Sequence, residues 1–138
     1  MQTFLPYANF AHTAKILDRQ RLGKQRVEVL QILLTLKNNK GWIHHPAVKM
    51  WKGYEYSLAK YGIQICKEWI SRGYQDTCYD KIVITASHFK YSNKLPWWLG
   101  NRKFHTSHKS NLLRKNFEYY SQFGWKCPSD LPYMWPTK

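Results

Sequence analysis

Between Leu22 and Leu36 the chain repeats at helical spacing twice over. Leu22, Val29, Leu33 and Leu36 share one side of a helix, and Arg21, Lys24, Gln25 and Glu28, at i, i+3, i+4 and i+7, stack along the opposite side. A second apolar stripe, Val48, Trp51, Leu58, Ile65 and Trp69, has the same period, and no set of alternating strands is available to build a sheet. These patterns constrain the chain to an all-α fold: three main helices, irregular loops and an extended aromatic tail.

The first helical stretch runs from an Asn9 cap to Lys37, where KNNKG at 37–41 ends it. Its apolar phase does not extend back through Ile16 and Leu17, so a bend or break is expected before Gly23. The second stretch is predicted from Ala47 to Arg72, with Pro46 at its start and Gly73 as its stop. Gly62 and Glu55 fall on its apolar stripe. The glycine admits close approach of a neighbouring element, and the carboxylate either pairs with a nearby cation or faces the first helix. Residues 76–88 read equally as a short helix or, through DKIVITA, as a strand. YSNKLPWWLGNRK is a loop, and HTSHKSNLLRKNFEYYSQFGW suggests a third helix starting near Thr106 or Ser107. CPSDLPYMWPTK contains three prolines and is expected to be extended.

A length of 138 residues suits one domain spanning residues 1–138. With 22 Lys and Arg against 8 Asp and Glu, the net charge of +14 makes a polyanion the leading partner, and nucleic acid the first such polyanion. An anionic membrane surface fits less well, because the basic residues are spread along the chain without an apolar anchor. The opening MQTFLPYANF lacks the pattern of a secretory signal, so a cytoplasmic, DNA-associated or viral intracellular protein is expected, acting as a monomer. Cys66, Cys78 and Cys127 are odd in number and lack CxxC spacing, which argues for reduced thiols. Aromatic residues make up 17% of the chain, enough to pack a core and leave a few rings to stack on bases.

A solvated surface is the common meaning of a polar helix face such as Arg21, Lys24, Gln25 and Glu28. Two features point elsewhere. Gly23 costs a helix roughly 1 kcal/mol relative to Ala, so something is expected to need that space or a bend there. The cations also neighbour a single carboxylate, an arrangement suited to holding phosphates while one acid or base works on the sugar between them.

The run RLGKQRVE, followed by GW..HPAVKMW, EWISRGY and the late FHTSHKSNLLRK, resembles the pyrimidine-dimer DNA glycosylases of the phage endonuclease V type, and most clearly their small bacterial relatives. The similarity covers nearly the whole chain. It implies a compact helical domain that binds duplex DNA, flips a nucleotide and excises a damaged pyrimidine, with abasic-site lyase activity and neither metal nor cofactor. In that family a free N-terminal amine attacks the sugar, supported by a glutamate on the first long helix beside arginines.

The chemistry favours such a nucleophile, since an α-amine with a pKa near 8 is about a tenth to a third neutral at pH 7–7.5, whereas an ordinary lysine is below about 0.1% neutral. Gln2 is large enough to leave the initiator in place, so the Met1 amine is the expected nucleophile, with a processed Gln2 amine as the alternative. Lys24 is the reserve amine, should burial or Arg21 lower its pKa. The family pattern sets Arg and the catalytic Glu side by side, whereas here Val27 separates Arg26 from Glu28. Arg26 is carried over from the resemblance, Glu28 is the candidate carboxylate, and Glu55 is held in reserve.

His44 and His45 precede Pro46, and His105 and His108 stand at i, i+3, but neither HExxH nor cysteine ligand spacing accompanies them. His105, Ser107, His108 and Lys109 are read as phosphate contacts at a helix start, with capping an equal alternative. Arg21, Gln25, His45, Arg114 and Lys115 are further candidates for DNA contact. Tyr119 and Tyr120 belong to an aromatic segment resembling the family's damage-recognition region, although core packing is the stronger reading for them. Two rival functions remain: a non-catalytic DNA- or RNA-binding protein on the same fold, and a histidine- or metal-dependent nuclease.

Overall fold

The computed structural model describes residues 1–136, which contain helices and loops and no strand. Three helices dominate: α2 (Arg19–Asn38), α4 (Glu55–Ser71) and α6 (Arg102–Lys115). The shorter α1 (Phe10–Ile16), α3 (Pro46–Lys49), α5 (Tyr79–Ala86) and α7 (Phe117–Tyr120) complete the set.

Helix boundaries follow local capping more than apolar period. The first stretch begins after an Asn9 cap, whose side chain accepts the His12 N–H at 2.9 Å, and it breaks at Leu17, before Gly23 as the apolar phase predicts. There Leu17 is extended, and Tyr120 accepts the Asp18 N–H at 3.1 Å, which satisfies one of the donors that a helix start leaves free. The second stretch is also two helices. Between them Gly53 takes φ +88, a left-handed conformation, and donates its N–H to Glu55 at 2.8 Å. Glu55 therefore closes a local turn and does not face the first long helix. The interruption lets Trp51 turn fully inward from between α3 and α4.

The ambiguous DKIVITA segment is helical. Ile82, Thr85 and Ala86 are buried on one side of α5 while Val83 and Ile84 are exposed, a helical period and not an alternation. Asp76 starts this helix by accepting the N–H groups of Cys78 at 3.1 Å and Tyr79 at 2.8 Å. α6 begins four to five residues earlier than the sequence suggests, because Asn101 caps it by accepting the Phe104 N–H at 3.0 Å. Residues 125–136 lack regular structure, as the prolines of the tail require.

The core is built where α2 lies along α4, with α1 and α5 also packed against α4. Leu22, Val29, Ile32 and Leu33 from α2 meet Leu58, Tyr61 and Ile65 from α4, and all are fully buried. Two glycines set the helix spacing. A β-carbon on Gly23 would lie 2.8 Å from the Trp69 ring, and one on Gly62 would lie 2.6 Å from Val29 Cγ1 and 3.1 Å from Ile82 Cδ1. Val29 is held close to its own backbone and cannot swing away. Gly62→Ala is therefore expected to destabilise the fold by about 1–2 kcal/mol, an overpacking cost partly offset by alanine's better helix propensity. Urea unfolding checks this, and an unchanged or raised midpoint would contradict the close α2–α4 contact.

Candidate active site

The polar face of α2 does not look into bulk solvent. Arg21, Lys24, Gln25 and Glu28 line one side of a cleft of about 350 Å³ whose other walls come from Met1, Gln2, Phe4, His45, Lys115, Tyr133 and Trp135. A smaller recess of about 230 Å³ adjoins it, sharing Met1, Glu28 and His45 and adding Gln31 and Trp42. Met1 and Glu28 thus stand between the two hollows. Trp42 at this rim is 67% exposed, an unusual position for an indole and one that leaves a ring face free for stacking.

Residues 2–5 reach the cleft through a buried, extended path with no helix or strand to satisfy their backbone. Side chains from three helices do so instead. Gln25 donates from Nε2 to the Gln2 carbonyl at 2.7 Å and accepts the Phe4 N–H at Oε1 at 3.0 Å. The Tyr61 hydroxyl lies 2.6 Å from the Phe4 carbonyl and 2.8 Å from Gln25 Oε1, sharing its hydrogen between them. His108 Nδ1 accepts the Leu5 N–H at 3.0 Å, and His105 Nδ1 lies 2.7 Å from the Leu5 carbonyl as donor. Trp51 Nε1 donates to Thr3 Oγ1 at 3.1 Å.

This clamp changes the reading of several residues. Gln25 is buried and spent on the opening segment, so it is not a free DNA contact. His105, Ser107 and His108 lie inside α6 and are buried, and none stands at a helix start able to meet a phosphate. His105 Nε2 accepts the Gly100 N–H at 2.9 Å, which leaves that ring no open nitrogen. The same helix organises the tail from its other polar residues. Ser107 Oγ accepts the Met134 N–H at 3.1 Å, Ser110 Oγ the Leu131 N–H at 3.0 Å, and Asn111 Nδ2 donates to the Leu131 carbonyl at 3.1 Å. Arg114, exposed at the end of the helix, donates to the Ser129 carbonyl at 2.8 Å and so staples the tail. Those contacts carry Tyr133 and Trp135 to the cleft, two lining residues that sequence reasoning misses because their segment has no periodicity to read.

Arg26 also departs from expectation. It points away from the cleft, stacks over Trp69 at 4.5 Å and pairs with Asp76 at 2.7 Å, with side chains only 14% and 2% exposed. Burial works against the Asp76 charge, but hydrogen bonds from Arg26 and from the N–H groups of Tyr79 and Cys78 outweigh it and hold the carboxyl below its ordinary pKa. Arg26 is therefore a structural cation. Val27, next to it, is 45% exposed and outside the cleft, and one further residue turns Glu28 onto the cleft face.

Of the remaining candidates, Arg21 lines the cleft while Nη1 donates to Asp18 at 3.0 Å, and Lys24 and Lys115 are exposed there. His45 caps α3 by accepting the Ala47 N–H at Nδ1 at 3.0 Å and stands between the rings of Trp42 and Trp135. Lys109 lies over the rings of Tyr7 and Trp125, at 5.0 and 5.9 Å, outside the cleft. Tyr119 donates to the Ile16 carbonyl at 2.9 Å, and Tyr120, fully buried, bonds Asp18, so both hold the α1–α2 junction. Glu55 is absent from the cleft lining, and His44 lines a separate cavity with Lys49, Lys52 and Trp97. Among the described residues no three of His, Cys, Asp and Glu converge in a ligand set, and no helix is long and apolar enough to cross a membrane.

A family model described as pyrimidine dimer DNA glycosylase matches residues 1–82, more than half of the 138. The chain belongs to this family. Membership makes DNA the substrate and base excision the class of reaction. All the cleft residues except Lys115, Tyr133 and Trp135 lie within the matched stretch, so the family signature and the cleft coincide. No curated protein and no solved structure matches the chain.

The clamp also makes stability depend on pH. Burial, with repulsion from His105, pushes the His108 pKa down to about 3, and burial lowers that of His105. The folded state keeps His108 neutral where the unfolded chain binds a proton near pH 6.5. Its contribution is therefore complete above that value and is lost as the pH falls toward 3. Between pH 7 and pH 5 this one histidine is expected to cost roughly 2 kcal/mol of stability. Urea unfolding across that interval measures it, and a flat profile would show that these rings are not held neutral.

Proposed function

We propose that this protein excises a damaged pyrimidine, with a cyclobutane dimer as the leading substrate, and then cleaves the strand at the resulting abasic site. The observation that supports this most strongly is the placement of Met1 and Glu28 in one cation-rimmed cleft, with the adjoining residues 2–5 clamped by buried side chains.

The α-amine of Met1 attacks C1′ of an extruded nucleotide. The C1′–N1 bond breaks, its electron pair leaves with the base, and the base nitrogen takes up a proton. Loss of the amine proton and opening of the sugar at the C1′–O4′ bond give an imine between Met1 and C1′. Removal of a C2′ proton then expels the 3′ phosphate by β-elimination, and water releases the amine from the product. Glu28 is the carboxylate available to move these protons and to stabilise the cationic imine. Arg21, Lys24 and Lys115 hold flanking phosphates, and His45 with Trp42 borders the second recess. Extrusion is easiest at a damaged and poorly stacked site, which contributes to selectivity.

The test uses duplex DNA carrying one thymine dimer. The wild type is expected to release the base from its sugar and cut the strand, while Glu28→Gln lowers the single-turnover rate by about 10²–10⁴-fold with binding little changed. Tight binding without any cleavage would favour a non-catalytic DNA-binding protein, and full activity in Glu28→Gln would remove Glu28 from the mechanism.

A further inference from the structure

One polar group in the cleft is left over after the clamp is accounted for. Gln2 is only 9% exposed, and its Oε1 accepts the Thr3 N–H at 2.9 Å. That bond fixes the orientation of the carboxamide, because only the oxygen can accept. Nε2 is then buried with two hydrogens and no partner among the described residues. The main chain here cannot turn to relieve it, since Gln25 holds the Gln2 carbonyl and Trp51 holds Thr3. Tyr133, on the same cleft, is near enough that a contact from the Gln2 amide tempers the rise in pKa that burial causes, but with both side chains as they stand the pair falls outside hydrogen-bond geometry. A desolvated donor with nothing to bond is costly and calls for an acceptor that arrives from outside.

The acceptor it suits is neutral. An anionic phosphate would be drawn to Arg21, Lys24 and Lys115, whereas Gln2 is buried beside Phe4, Tyr133 and Trp135 in the aromatic part of the cleft. We propose that the Gln2 carboxamide is a base-reading and leaving-group-stabilising residue, with Nε2 donating to a ring carbonyl of the pyrimidine being excised. The proposal rests on the glycosylase reading above and adds the group that recognises the base. Saturation of the pyrimidine 5,6 bond leaves the ring carbonyls in place, so such a donor accepts a photodimer. As the C1′–N1 bond breaks, the electron pair on N1 spreads onto the adjacent C2 carbonyl, and a donor to that oxygen binds more strongly in the transition state than before it.

Gln2→Glu tests this, because it keeps an oxygen for the Thr3 N–H and nearly the same volume while replacing the donor by an acceptor. The reading is the ratio of two single-turnover rates: scission of the C1′–N1 bond in a duplex with a thymine dimer, read after photoreversal of the cyclobutane ring frees the base, and strand cleavage at an abasic site, where no base is present. The ratio is expected to fall about 10²-fold, the scale of losing one donor to a developing oxyanion. Gln2→Met, which also lacks the donor but carries no charge, is expected to lower it in the same direction. A ratio within twofold of wild type in both variants would overturn the assignment, whether both rates fall together, as a purely structural role would cause, or neither changes. Failure of the wild type to break the C1′–N1 bond in the dimer duplex would instead overturn the glycosylase reading, and this assignment with it.

Discussion

Residues 2–5 are buried but belong to no helix, so each of their peptide groups needs a partner that the backbone does not supply. Gln25 from α2, Tyr61 from α4, and His105 and His108 from α6 supply those partners, with Trp51 holding Thr3. The three main helices are thus joined through the opening segment as well as through their apolar faces. Both histidines must stay neutral for this, since an imidazolium could accept neither the Leu5 N–H at His108 Nδ1 nor the Gly100 N–H at His105 Nε2. The polar residues of α6 form a rack for two extended segments, and both segments lead to the cleft.

This arrangement explains why the face of α2 is mixed in chemistry. Gln25 is inward and structural, Arg21 and Lys24 supply positive charge at the cleft, and Glu28 supplies its carboxylate. Arg26 is turned by roughly 100° per residue to another side, where it serves Asp76 and Trp69. A family register read along the sequence places Val27 beside that arginine. The helix itself selects Glu28, because Arg21 and the residues at i+3, i+4 and i+7 from it share the cleft face, with Gln20 beside them, while Val27 does not.

The periodic parts of the fold are legible in the sequence. The three main helices, the close approach at Gly62 and the grouping of Arg21, Lys24, Gln25 and Glu28 follow from spacing alone, and His45 and Lys115 also reach the cleft. Non-local polar contacts are not legible there. Nothing in the spacing of His105 and His108 shows that they bond Leu5, about a hundred residues away, and the same residue types at an exposed helix start would bind anions. Tyr133 and Trp135 are hidden for the same reason, since bonds from Ser107, Ser110 and Asn111 place them and no local pattern does.

Borohydride trapping reads out whether the clamp presents the Met1 amine to a sugar. The untagged protein is incubated with a duplex containing an abasic site, any imine is reduced, and the crosslinked residue is located by mass spectrometry. A single covalent adduct on the α-amine of Met1 is expected. An adduct on Lys24, or none despite tight binding and an unblocked amine, would contradict it.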